Sequence, residues 1–334
     1  MAEPPVCDVH GHYLPRDILP HLDRGRVRTT LGDFNGEPDN VLLNGMAVGS
    51  TIDHLANVEF IIEEMDRAGI ESRVLSPPPF TFRYWLDRAD GIDLCRRLND
   101  ALASVISQHP DRFTGLCTVP LQDTDAAARE LERSVGLGLK GVEVGTIVGD
   151  GNLSDERLHE FWEAVSHHDL PVLVHPDFVP NPRLANHYLI NLIGMPVETA
   201  TAMGNMLFSG MLERFPGLRI CFSHGGGVAP YLLGRWEKGW KVRPECRTDI
   251  EQGPSESAKL TYHDTITHSP LALSFLIHLF GAKRIVLGTD HPFDVQDLDP
   301  RGTLAAAPDI TNEERKVVER HAPHEWLTGE RAVA

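Results

Sequence analysis

The sequence is poor in several features that would assign a function directly. It has five cysteines in 334 residues, Cys7, Cys95, Cys117, Cys221 and Cys246. None forms a C-x-x-C pair and the count is odd, so neither a disulfide framework nor a cysteine metal knuckle is expected. That usage fits a reducing compartment, and a cytoplasmic protein is the expectation. Basic residues are also scarce, 31 against 48 acidic ones, for a net charge of −17. Nucleic acid and anionic membrane surfaces select basic patches, so neither is an expected partner. Long apolar runs are missing too. The longest, L-A-L-S-F-L-I-H-L-F-G-A from Leu271, is too short to span a bilayer and carries His278. The opening M-A-E-P-P lacks the basic-then-apolar pattern of a secretion signal. No G-x-G-x-x-G follows the first apolar run, which removes the dinucleotide-binding fingerprint.

What is present is a regular alternation. Short β-branched or apolar runs recur, each followed by apolar residues at helical spacing. Strands are expected at residues 6–9, 73–76, 115–119, 141–144, 171–175, 219–223, 259–262 and 285–288. Strand–helix alternation of this kind predicts an α/β fold, a (β/α)8 TIM barrel spanning residues 1–334 as one domain. Its active site would lie at the C-terminal ends of the strands. Residues 13–52, after strand one, and 176–195, after strand five, exceed ordinary connections. The first is expected to be a small insertion covering the C-terminal face as a lid.

The 17 histidines are numerous, so most must be surface or core residues. A few fall where chemistry is expected. His10 and His12 end strand one and, two apart, share a face. His175 ends strand five, His224 strand six and Asp290 strand eight. Imidazole nitrogens with a carboxylate oxygen suit a divalent metal such as zinc, with a position left for water or substrate. Asp8 has the parity of His10 and reads either as an acceptor orienting the ligands or as a cap on the first turn. The run Gly225-Gly226-Gly227 reads as backbone passing close to the site.

The ordered runs D-V-H-G-H-Y-L-P, V-L-V-H-P, C-F-S-H-G-G-G and L-G-T-D-H-P-F resemble the amidohydrolase superfamily. The nearer likeness is to its amidohydrolase-2 branch, typified by 2-amino-3-carboxymuconate-6-semialdehyde decarboxylase. It extends from about residue 6 to residue 326 and includes I-E-E-M-D-R-A-G-I, V-P-L-Q-D and L-L-G-R. The resemblance implies one Zn2+ per subunit on His10, His12, His175 and Asp290, with Mn2+ as an alternative divalent metal. It implies His224 as general acid/base, with Asp290 a second candidate for moving the proton. Arg235 and Arg243 match a pair that reaches into the neighbouring subunit's site, which implies a homodimer. Phe293 is expected against the substrate.

The implied activity is metal-dependent, non-oxidative decarboxylation of a small hydroxy- or amino-substituted unsaturated or aromatic carboxylic acid. The same residues also suit hydrolysis of an ester, lactone or amide. Two departures shape the substrate expectation. Gly49 stands nearest the place where the branch has a substrate-anchoring arginine, and His291 replaces an aromatic residue. They favour a hydroxylated aromatic acid over the muconate semialdehyde. Glu143 is the only side chain of strand four placed to reach a second metal, and a single metal is expected.

Overall fold

The computed structural model describes residues 3–330. Strand β1 (Cys7–His12) is followed by a meander of β2 (Thr29–Phe34), β3 (Glu37–Leu43) and β4 (Met46–Thr51). Then come β5 (Ser72–Ser76), β6 (Phe113–Cys117) and β7 (Gly141–Gly145), and a short hairpin of β8 (Ile147–Val148) and β9 (Gly151–Asn152). The chain continues through β10 (Pro171–His175), β11 (Arg219–Phe222), β12 (Tyr262–Asp264) and β13 (Ile285–Val286).

Eight of these strands form one parallel sheet in the order β1-β5-β6-β7-β10-β11-β12-β13. The sheet curls until its ends meet. The Val9 N–H donates to the Leu287 carbonyl at 2.8 Å, and Gly11 bridges to His291. Strands such as P-V-L-V-H in β10 are buried at every position, as parallel strands covered on both faces must be. The expected barrel is the observed fold.

Strand ends differ from expectation in two informative places. The sequence predicts the seventh barrel strand at residues 259–262, but it spans Tyr262–Asp264, because Lys259 and Leu260 are exposed after a helical turn at Pro254–Ala258. Strand β1 runs on to His12, with an irregular register between Asp8 and Gly11.

The stretch after β1 is not a plain loop. Its three strands pair antiparallel, and the turns fall at Asn35-Gly36 and Asn44-Gly45. All four turn residues have positive φ (55°, 83°, 51° and 83°), which is why Asn-Gly occupies both. The inner face of this sheet packs Val41 and Val48 with Ile52, Phe80 and Phe293, which seats it over the barrel mouth.

Candidate metal centre

The C-terminal rim brings the expected histidines and Asp290 together. Asp290 Oδ1 stands 3.4 Å from His10 Nε2, 3.3 Å from His12 Nε2 and 4.0 Å from His175 Nε2. All four atoms are buried and none has a hydrogen-bond partner. Donors on one cation with bonds of about 2.0–2.1 Å stand roughly 3.3 Å apart in a tetrahedral arrangement. A buried cluster of unpartnered donors at that spacing fits a divalent ion.

The other ring nitrogens are engaged. His10 Nδ1–H donates to Asp264 Oδ2 at 2.8 Å, His175 Nδ1–H donates to the Pro176 carbonyl at 2.7 Å, and His12 Nδ1 pairs with Ser76 Oγ at 3.2 Å. Bonding at Nδ1 fixes the tautomer and leaves the Nε2 lone pairs facing inward.

His224 joins the same group. Its Nε2 lies 3.2 Å from Asp290 Oδ2, and the donor atoms of His10, His175, His224 and Asp290 all lie within 4.8 Å of one another. His224 and Asp290 both adopt left-handed backbone, φ 53° and 63°, held by the surrounding hydrogen bonds. The run after His224 is glycine because of packing: at Gly227, φ 60°, a Cβ would meet the Pro196 carbonyl oxygen at 2.2 Å.

The electrostatics favour a cation. Burial drives the His175 imidazolium well below its usual range and His12 down to about 4. Burial also opposes a charge on His10, but Asp290 and the hydrogen bond to Asp264 outweigh it and hold His10 up to about 9. Burial works against the Asp290 carboxylate, yet His10, His12 and His224 hold it well below the usual carboxylate range.

The positioning residue that sequence reading missed is Asp264. Its Oδ1 accepts the N–H groups of Gly225 (2.8 Å) and Ile266 (3.1 Å), while Oδ2 accepts those of His10 Nδ1 (2.8 Å) and the His224 backbone (2.9 Å). One carboxylate thus ties His10 of β1 to the turn carrying His224. Its signal was its place at the end of the seventh barrel strand, hidden by ending that strand two residues early.

Asp8 lies one step further from the cluster. It accepts the His10 backbone N–H at 3.0 Å, the Thr289 N–H at 3.1 Å, the Thr289 hydroxyl at 2.7 Å and Arg73 Nε at 2.7 Å. It therefore fixes the backbone of β1 against the turn before Asp290 and touches no imidazole ring. Glu143 is fully buried with both carboxyl oxygens unpartnered, and burial pushes it up to about 8. It is outside the four-residue donor group. His291 is buried, and its Nδ1 bonds Glu64 at 2.7 Å.

Two cavities open onto Asp290. A narrow one of about 30 Å³ is lined by His175, Asp290, Phe293, Phe80 and Val48, and the Phe293 ring lies 5.3 Å from that of His12. A larger one of about 480 Å³ is lined by His224, Asp290, Met195, Tyr231 and Phe275. Arg235 lies exposed on the helix Ala229–Val242, and Arg243, just beyond it, is exposed and paired with Glu245. Neither arginine lines these two cavities. The missing arginine has a local cause. Gly49 has φ 83°, and a Cβ there would stand 2.4 Å from the Asp294 carboxylate.

The family model described as amidohydrolase matches residues 7–327. The chain belongs to this family. The amidohydrolase is 38% identical over 301 residues to 2-amino-3-carboxymuconate-6-semialdehyde decarboxylase of Dictyostelium discoideum, covering 88% of this chain and 83% of that one. It is 30% identical over 259 residues to gamma-resorcylate decarboxylase of Rhodococcus jostii, covering 69% and 75% of the two chains. Its fold matches that of 5-carboxyvanillate decarboxylase from Novosphingobium aromaticivorans, solved with bound manganese and 3-methoxy-4-hydroxy-5-nitrobenzoic acid. The TM-score is 0.82 at 21% identity, over 96% of each chain. No helix among the described residues is long and apolar enough to cross a membrane.

Proposed function

We propose that this amidohydrolase is a metal-dependent, non-oxidative decarboxylase of a small hydroxy- or amino-substituted aromatic or unsaturated carboxylic acid. The observation that carries this reading is the convergence of the unpartnered His10, His12 and His175 Nε2 atoms on Asp290 Oδ1, beside His224. The relatives named above are decarboxylases, which favours this chemistry over hydrolysis.

His10, His12, His175 and Asp290 would hold the metal, Zn2+ first and Mn2+ as the alternative found in a structural neighbour. A divalent cation there supplies a Lewis acid for the substrate oxygens. Cleaving CO2 directly from an sp2 carbon would leave an aryl or vinyl carbanion, so that carbon must first accept a proton. A hydroxyl or amine beside the carboxylate makes the carbon basic enough to do so. His224, next to Asp290 and open to the larger cavity, delivers the proton to it. The carbon becomes tetrahedral, its bond to the carboxylate breaks, and the electron pair restores the π-system as CO2 leaves. Asp290 Oδ2, 3.2 Å from His224 Nε2, orients the imidazole and shares its proton. The cavity volume of about 480 Å³ suits a single aromatic ring.

In this reading the sheet β2–β4 is the lid, seated over Phe80 and Phe293, and Phe293 walls the substrate. Arg235 and Arg243 serve the neighbouring subunit of a homodimer in the cytoplasm. Mixing a His224→Asn variant with an Arg235→Ala variant then restores activity that neither has alone.

The test incubates metal-quantified protein with hydroxybenzoates, aminobenzoates and small lactones and follows products by mass. Loss of one CO2 from an acid supports the reading. Gain of one water by a lactone, with no acid losing CO2, overturns it.

A further inference from the structure

A second large cavity, of about 690 Å³, lies against the sheet β2–β4. It is lined by Arg26, Val48, Phe80, Arg83, Trp85 and Phe178, among others. Arg83 is its most unusual member. The residue is 5% exposed, its Nε has no hydrogen-bond partner, and it makes no ion pair among the described residues. Nη2 donates to the Thr29 hydroxyl at 3.2 Å, and the guanidinium stands 5.6 Å from the centre of the Trp85 ring. Its backbone is left-handed, φ 45°, an arrangement that a bulky residue adopts only under constraint.

A buried, unpaired guanidinium is costly unless it has an anion to meet. Burial already pushes Arg83 down to about 10. Two carboxylates, Asp177 and Asp23, lie near enough to favour its charge, but neither forms an ion pair with it. Asp177 spends Oδ1 on the Phe178 N–H at 2.7 Å, and burial pushes its carboxyl up to about 6. Asp150 is exposed at the rim, opposite the exposed Arg26. The remaining walls are flat and apolar, from Trp85, Tyr84, Phe80 and Phe178.

We propose that this cavity is a binding site for an aromatic carboxylate, held by the guanidinium fork of Arg83 with its ring against Trp85 and Phe178. The cavity adjoins the metal centre: Val48, Phe80, Asp177 and Phe178 line both this cavity and the narrow one on Asp290. The inference does not depend on which reaction the metal centre performs. A carboxylate meeting a planar fork accepts two parallel hydrogen bonds, which sets Arg apart from Lys here. The bound molecule is either a reactant waiting beside the metal centre or a distinct effector acid.

The probe is benzoate, which lacks the hydroxyl or amine needed for reaction, titrated calorimetrically into the metal-loaded protein. Two benzoates are expected per subunit, and Arg83→Met removes one of them. Arg83→Lys, which keeps the charge, weakens that site by about tenfold while the melting temperature stays unchanged. Acetate, without a ring, binds there at least about tenfold more weakly than benzoate. A steady-state arm separates the two sources. A waiting reactant shows as an Arg83→Lys variant with raised KM and unchanged kcat, and a distinct effector as benzoate changing kcat in the wild type only. Unchanged benzoate stoichiometry and affinity in both Arg83 variants, whether the wild type binds one benzoate or two per subunit, overturns the proposal.

Discussion

Replacing Asp264 by Asn should weaken metal binding without removing any metal ligand. The change is nearly isosteric, but it turns one oxygen into an NH2 group. Asp264 accepts four hydrogen bonds, two on each oxygen. Either orientation of the amide therefore loses two acceptor contacts and sets a donor against donors. If Oδ2 becomes nitrogen, the lost pair is His10 Nδ1–H and the His224 backbone N–H. If Oδ1 does, it is Gly225 and Ile266. Hydrogen bonds to a charged group contribute about 1.5–3 kcal/mol each, so about 3–6 kcal/mol of local ordering is at stake. Only part of that reaches the metal, and loss of such an outer partner weakens affinity by about 10- to 100-fold. Competition against a chromophoric chelator, with circular dichroism confirming the fold, measures this directly. An affinity within about twofold of wild type, well below the usual outer-partner effect, would refute the reasoning.

His224→Asn should lower turnover at least ~100-fold while the metal content stays at the wild-type level, measured by elemental analysis. Loss of the metal instead would make His224 a ligand. Gly49→Arg should not restore an anchor. It clashes with Asp294 at a left-handed backbone position and should cost about 2 kcal/mol in thermal unfolding. An unchanged melting temperature counts against that. His263 is buried, and burial pushes it down to about 3, so it stays neutral in the fold while the unfolded chain binds a proton below about 6.5. The sign follows: its contribution is present above the unfolded value and is lost as pH falls through that range. Between pH 6.5 and about 5.5 the wild type should lose about 1 kcal/mol more stability than His263→Gln, by denaturant titration, and equal losses contradict the assignment.

The barrel is legible in the sequence because parallel strands buried on both faces leave short, dense apolar runs. V-L-V-H in β10 and I-V in β13 stand out wherever the barrel is closed. His10, His12, His175 and Asp290 are legible for the same reason, since each sits where such a run stops. Asp264 escaped because β12 has only three residues and its K-L-T approach mimics a strand start. The sheet β2–β4 was missed despite two Asn-Gly turns, because β2 and β3 carry Asp33, Glu37 and Asp39 at exposed positions and lack a continuous apolar stripe. Arg83 is a different case. Only its burial without an ion-pair partner singles it out. The clash that excludes arginine at Gly49 comes from Asp294, far away in sequence.

At the metal-loaded site a proton from water replaces the carboxylate as CO2 leaves. Turnover in deuterium oxide with 2,6-dihydroxybenzoate or an accepted relative, using metal-reconstituted and chelator-stripped protein side by side, tests it most directly. The expected product bears one deuterium at the carbon that lost its carboxylate and is formed only by the reconstituted protein. Equal turnover by stripped protein, or a product that keeps its carboxylate and gains water, would contradict it.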